Sequence, residues 1–405
     1  MTFDVVFIAN GAGELYAYVR PVLERLSAKS PEARVTIVIT PCQYATGREA
    51  EVAKGFPNVS RVITTKEYMK WIFGGRPPEN IKFSKNGIVV FMGGDLLHAV
   101  LLSRKLKFQA IAYTHSRIGW KRWIKLFMVP DERCAKKLSK SISKDKLKII
   151  GELIVDGAKT ELTKEEAAKR WNLNLENPII SFLPGSRSYI FNNMIAIYLK
   201  TAKFLLEENP KIQLIIPLSP FLGRELLDAS IKGMGKIISK NGNNYIKTND
   251  FEILLTDSYI FDATSISDLA VTIPGTNTAE IASLGKPMIM FFPVDKAHIL
   301  PMEGLNDLLT RIPLIAPILR RIIIRVINWR TKYFSLPNKI AGEEIIPEIR
   351  ERIDPEKAAK TILKYLADKK WQTRTEKRLK EIMGKKGASD KVVNEILNTI
   401  HGEAQ

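Results

Sequence analysis

Short apolar runs of strand length alternate with helical patterns along the chain, and that alternation restricts the fold more than any other feature. "DVVFIAN" is followed by "LYAYVRPVLERLSA" and "RVTIVIT"; further on, "GIVVFMGG", "LLHAVLLSRKL" and "FQAIAYTH" repeat the rhythm. Strands separated by helices cannot pair as hairpins, so the pattern predicts βαβ units and parallel sheets. After "KIIGELIVDG" a second series runs through "PIISFLPGSR", "NMIAIYLKTAKFLLEENP", "KIQLIIPLS", "FEILLTDS", "ISDLAVTIPG" and "KPMIMFFP". The expected fold class is therefore α/β: two doubly wound, Rossmann-like domains facing a cleft at the carboxyl edges of their strands, where such sheets bind ligands.

The expected boundaries are 1–155 for the first domain and 156–350 for the second. Residues 351–405 are expected as amphipathic helices, with Asp354-Pro355 marking a start. They would pack back on the N-terminal domain or form a homodimer contact. A length of 405 residues with 45% hydrophobic content is enough for two cores. Cys42 and Cys134 have no paired spacing, which excludes a disulfide framework or a cysteine zinc cluster and fits a reducing cytoplasm. The opening residues show no basic region ahead of the first apolar run, so no signal peptide is expected, and no charge-free run reaches transmembrane length.

Two turns carry the chemistry. "SFLPGSRSYI" puts Gly185, Ser186 and Arg187 just past a strand; glycine lets backbone approach an anion, and a guanidinium offers two parallel donors to a phosphate. Alone, this is equally well a surface turn with a solvated arginine. "VTIPGTNTAEIASLGKPMIMFF" repeats the design, with Gly275, Thr276 and Asn277 opening a helix whose first N–H groups suit a phosphate. Glu280 is placed to accept both hydroxyls of a ribose, or simply to sit favourably near a helix N-terminus. Two anion-suited turns in one half point to a nucleotide diphosphate.

"LPGSR", "GTNTAEIASLGKPM" and above all "TKYFSLPNKIAGEEIIPEI", followed by "IDPEKAAKTIL", closely resemble the lipid A disaccharide synthase family, inverting glycosyltransferases of the GT-B fold. The resemblance implies a UDP-sugar donor carrying an acylated or N-acetylated glucosamine, a lipid acceptor at the inner face of the cell membrane, and no metal or other cofactor. It further implies that Arg187 meets the diphosphate, Gly275 and Thr276 the phosphate or sugar, Glu280 the ribose, and Asn338 the nucleotide site. The N-terminal half departs from the family pattern. "ANGAGELY" carries Glu14 in the glycine-rich loop, "FMGGDLLHAV" keeps Asp95 but lacks a second carboxylate, leaving His98 one turn on, and Ile190 stands where the family has a glutamate.

Inversion needs a base for the acceptor hydroxyl. Asp95 is the first candidate, with a helix N-cap as its alternative role. His98 and His115 are fallback bases or structural histidines, and Glu14 is a substrate-orienting or surface-loop residue. The formal net charge of +19 favours a polyanionic partner. "THSRIGWKRWIKLFMVP" gathers Arg117, Lys121 and Arg122 beside Trp120 and Trp123, a combination expected as a helix in an anionic headgroup layer. The apolar segment "LNDLLTRIPLIAPILRRIIIRVINWR" is either a pair of buried core helices or an added membrane element, in which Arg320, Arg321 and Arg325 would be further membrane contacts. Peripheral attachment to the cytoplasmic membrane face is expected, without nucleic acid. A UDP-sugar epimerase of the same fold is the alternative, and a nucleic-acid-binding protein explains only the charge.

Overall fold

In a computed structural model, which describes residues 2–75, 77–78, 81–294, 326 and 328–402, the chain divides into two compact units. The first comprises Met1–Gly157 with Gly384–Gln405, the second Ala158–Met383. Unit 1 holds a seven-stranded sheet of β1 (Asp4–Ala9), β2 (Arg34–Ile39), β3 (Val59–Ile63), β4 (Gly87–Phe91), β5 (Gln109–Tyr113), β6 (Leu126–Val129) and β7 (Leu147–Ile149). Its order is β3-β2-β1-β4-β5-β6-β7 and every pairing is parallel. β1 and β4 are buried along their whole length, as helices on both faces require. Asp4 at the head of β1 is fully buried and held by Arg34 at 2.6 Å and Arg61 at 3.5 Å, so this carboxylate pins the amino edge of the sheet.

The helical run after β1 contains Pro21, which has no N–H to donate and would crowd the preceding turn of an α-helix. A π-helical turn over Leu15–Val19 precedes the proline, which then stands in the first turn of the helix Arg20–Lys29.

Unit 2 holds β8 (Ile179–Phe182), β9 (Gln213–Pro217), β10 (Lys236–Lys240), β11 (Asn243–Lys247), β12 (Glu252–Thr256), β13 (Leu269–Thr272), β14 (Met288–Phe291) and β15 (Glu348–Ile349), in the order β10-β11-β12-β9-β8-β13-β14-β15. β10 and β11 are an antiparallel hairpin that the alternation of strands and helices does not anticipate. Its signal is local: Asn241 and Gly242 both take positive φ, the turn chemistry that closes a two-residue hairpin.

The C-terminal helices do not form one segment on unit 1, as the sequence suggests, but are shared. The helix Pro355–Ala367 packs on the helix Ser188–Glu208, and the helix Lys369–Met383 covers the helix Asn277–Ser283, all within unit 2. Only the helix Ala388–His401 belongs to unit 1. The physical reason is its start: Asp156 accepts from the Gly387 N–H at 2.7 Å and from both the N–H and the hydroxyl of Ser389 at 2.6 Å. Asp390 is then paired with Arg25 at 2.6 Å and Lys29 at 2.8 Å.

Beneath the helix Lys369–Met383 lies Lys286, whose ammonium pKa is pushed down to about 8 by burial and by Lys164, against the pull of Glu376. The unfolded chain therefore binds more protons than the native one between about pH 8 and the ordinary lysine value of about 10.4, and this residue's contribution to stability rises with pH across that window. Lys286→Met is expected to raise stability at pH 7 by roughly 1–3 kcal/mol. Its advantage over the wild-type chain should shrink between pH 8 and 10.5, as measured by denaturant titration at several pH values.

Candidate active site

β8 and β13 are neighbours whose connections run to opposite sides of the sheet, which makes the gap past their carboxyl ends the switch point of unit 2. The two sequence-derived turns flank that point. Leu183 N–H donates to the Val271 carbonyl at 2.8 Å, extending the ladder up to the turns themselves. Gly185 has φ +101°, and a Cβ there would stand 2.8 Å from Cδ1 of Ile273 and 3.3 Å from Cγ2 of Ile190. Ile190 is thus core beneath the first turn, which explains an apolar residue at that place.

Ser186 and Arg187 are half-buried, and Arg187 occupies the N-cap position of the 21-residue helix Ser188–Glu208 in extended conformation. In the second turn Gly275 has φ +155°. Thr276 is the N-cap of a seven-residue helix and makes no side-chain cap. The N–H groups of Thr278, Ala279 and Glu280 are taken by the carbonyls of Gly275 and Thr276, so the expected run of open donors is shorter than the sequence implies. Asn277, expected to open the helix toward a phosphate, turns the other way: its amide donates to Thr272 Oγ1 at 2.6 Å, because the tight glycine turn brings the side chain back to the strand. Glu280 is half-buried one turn on.

Asn338, expected at the nucleotide site, is turned inward among protein partners. It is fully buried in the short helix Leu336–Ala341, donating to the Ile346 carbonyl at 2.9 Å and Glu348 at 3.0 Å, and accepting from the N–H groups of Ile345 and Ile346 at 2.8 and 3.1 Å. Glu348 in turn accepts from Phe334 and Ser335 and pairs with Arg350. Burial opposes its charge, but the Phe334 N–H, Ser335 and Arg350 outweigh it and hold the carboxyl below the usual range. The "SLPNKIAG" motif is therefore a buried polar clamp. It reaches the switch-point helix through the Leu336 N–H, which donates to Thr278 Oγ1 at 3.2 Å.

In unit 1 the equivalent switch point lies between β1 and β4. Glu14 sits there with its side chain against Gly93, where a Cβ would meet its Cγ at 2.4 Å, and with Oε2 over Gly11. Asn10 Oδ1 is buried with no hydrogen-bond partner among the described residues. Asp95 is exposed and caps the helix Leu96–Leu106, its Oδ1 accepting from the Leu97 N–H at 2.9 Å. His98 is engaged elsewhere: Nδ1 lies 2.8 Å from Tyr68 Oη, and burial pushes its pKa down against the pull of Asp95. The pairing of His115 with Glu152, Nε2 to Oε2 at 2.9 Å, is a site feature the sequence does not reveal, since 37 residues separate the two.

The basic and aromatic stretch is not the expected helix. Residues 114–125 form turns between β5 and β6, with Trp120 at φ +57°, because "LFMV" is drawn into the sheet as β6. Trp120 and Trp123 are 48% and 47% exposed beside exposed Arg117, Ile118, Lys121 and Arg122, and the Arg104 guanidinium lies 4.6 Å over the Trp123 ring. Arg320, Arg321 and Arg325 lie outside the described residues. Among the described residues, no helix is long and apolar enough to cross a membrane.

Two Rossmann-like α/β units with this strand order are the GT-B fold. Solved structures similar over nearly the whole chain include the Staphylococcus aureus MnaA–UDP complex (TM-score 0.58, 12% identity, 99% of this chain and 98% of that one). The UDP-GlcNAc 2-epimerase of Neisseria meningitidis bound to UDP-GlcNAc is a second (0.55, 13%, 98% and 100%). At these identities the likeness is one of fold.

By sequence, residues 143–318 match the Lipid-A-disaccharide synthetase family model. Curated lipid-A-disaccharide synthases are similar: that of Geobacter metallireducens is 25% identical over 62% of this chain and 56% of its own length. That of Hydrogenovibrio crunogenus is 28% identical over 55% and 50%. The resemblance to this family therefore stands, while the chain spans about half the length of the curated relatives it matches. The family match takes in both switch-point turns and ends before the "SLPNKIAG" motif.

Asn338→Ala strips a buried cluster of four hydrogen bonds and is expected to cost about 2–4 kcal/mol of stability. Thermal unfolding should register that loss as a lowered midpoint.

Proposed function

We propose that this chain is a membrane-associated, inverting glycosyltransferase that moves a glucosamine-type sugar from a UDP-sugar to a lipid acceptor. The observation that carries the reading is that the lipid-A-disaccharide synthetase match spans the two turns flanking the β8–β13 switch point. In this reading Gly185 and Gly275 let backbone close on the diphosphate, and Ser186 and Thr276 offer short hydroxyls. Arg187 balances the charge that grows on the leaving group, so that no metal is required, and Glu280 accepts the ribose hydroxyls. The β1–β4 edge, with Glu14 and Asp95, takes the acceptor sugar.

Membrane attachment is assigned to the loop bearing Ile118, Trp120 and Trp123. Indole rings suit the headgroup layer, and Arg117, Lys121 and Arg122 suit anionic lipid. On this reading the enzyme works on the cytoplasmic face of the membrane. The second reading is a UDP-sugar epimerase, favoured by fold neighbours such as the Neisseria meningitidis enzyme. Shared fold does not assign chemistry. Incubation with UDP-N-acetylglucosamine alone separates the two, because an epimerase converts it without any acceptor.

Calorimetric titration is expected to show binding of UDP and none of ADP at the same concentration. Arg187→Ala and Glu280→Ala should each weaken UDP about tenfold, or about 1.4 kcal/mol. Unchanged affinity in both variants would remove the donor-site assignment. In a separate measurement, the wild-type chain should co-sediment with phosphatidylglycerol vesicles and not with phosphatidylcholine vesicles. The double substitution Trp120→Ser with Trp123→Ser is expected to leave most of the protein in the supernatant.

A further inference from the structure

His115 leaves the sheet two residues past the carboxyl end of β5, and Glu152 leaves it past β7. The Glu152 side chain is only 7% exposed, and both its oxygens are used. Tyr113 Oη donates to Oε1 at 2.9 Å, and His115 Nε2 lies 2.9 Å from Oε2. The rings of Tyr113 and Tyr18 flank the imidazole, with centroids at 5.6 and 5.8 Å, so its plane is set from several sides. A carboxylate facing Nε2 fixes the proton on that nitrogen and leaves the lone pair on Nδ1. Nδ1 has no hydrogen-bond partner among the described residues, and the His115 side chain is 31% exposed. This is a base held by an orienting acid, with its accepting nitrogen available. The other candidates have tasks of their own: Asp95 caps a helix and His98 is bound to Tyr68.

We infer that His115, oriented by Glu152, is the catalytic base that takes the proton of the attacking acceptor hydroxyl. The inference rests on the glycosyltransferase reading above. In the step, the O–H proton passes to Nδ1 and the oxygen forms its bond to the anomeric carbon. The bond from that carbon to the diphosphate oxygen breaks, and its electron pair leaves with UDP. The imidazolium so formed faces the Glu152 carboxylate and later releases its proton to solvent. Glu152 acts through the ring as a positioning residue.

The test uses the full chain with UDP-2,3-diacylglucosamine as donor and 2,3-diacylglucosamine 1-phosphate as acceptor, reading UDP release and UDP affinity together. His115→Gln is expected to lower kcat about 100-fold or more with UDP affinity unchanged. Glu152→Gln should lower kcat with little change in KM, and Glu152→Asp should recover part of the loss. A kcat for His115→Gln within threefold of wild type overturns the assignment.

If the wild-type chain releases no UDP from this pair, the glycosyltransferase reading fails for these substrates, and the dyad is then decided by nitrogen-15 NMR of the four histidines. His115 in the Nε2–H form at neutral pH, lost in Glu152→Gln, supports the inference; a proton resident on Nδ1 overturns it.

Discussion

The parallel pairing of β8 with β13, Ile180 opposite Leu269 through Phe182 opposite Val271, is the constraint on which the rest of the candidate donor site depends. Parallel strands end at the same edge, so two turns far apart in sequence are delivered side by side. The contact between Gly185 and Ile273 shows how tightly that juxtaposition is built, since a Cβ at Gly185 would stand 2.8 Å from Ile273 Cδ1. The Asn338–Glu348 clamp holds the next layer. By accepting from the Leu336 N–H, Thr278 ties the switch-point helix to it, and Glu348 is itself one of the two β15 residues in register with β14. A motif that reads as ligand-binding thus serves the site by fixing its walls.

Unit 1 repeats the same logic with different residues. β1, β4 and β5 are adjacent, and the side chains that matter follow their carboxyl ends: Glu14 after β1, Asp95 after β4 and His115 after β5. The amino edge is closed by Asp4 with Arg34 and Arg61, a charged cluster consumed by structure. The candidate site residues and this anchoring cluster therefore lie at opposite edges of one sheet, as the direction of its strands demands.

What was legible in the sequence followed from periodicity and from turn residues. The alternation of strands and helices yields the parallel strands of both sheets, and glycine with a following polar residue marks the two turns that flank the β8–β13 switch point. The misreadings share a cause: tertiary context overrode a local pattern. "KLFMV" was helical in composition only until a sheet edge was there to extend, and the loop ahead of it then had to turn. Asn277 and Asn338 were polar residues in turn-like company, but their amides answer to a strand hydroxyl and a buried carboxylate that no local rule supplies. The last three helices looked alike, and Asp156, Arg25 and Lys29, each more than two hundred residues earlier, hold the last of them on unit 1. The His115–Glu152 pair belongs to the same class, since neither residue sits in a recognisable motif.

The central claim is that the edge past β8 and β13 holds a nucleotide diphosphate. Its most direct test is a crystal structure of the chain grown with UDP. Density for the two phosphates is expected between the Gly185 and Gly275 turns, with the Arg187 guanidinium on a phosphate oxygen and Glu280 on the ribose. UDP bound at the β1–β4 edge instead, or turns left empty at saturating UDP, would contradict it.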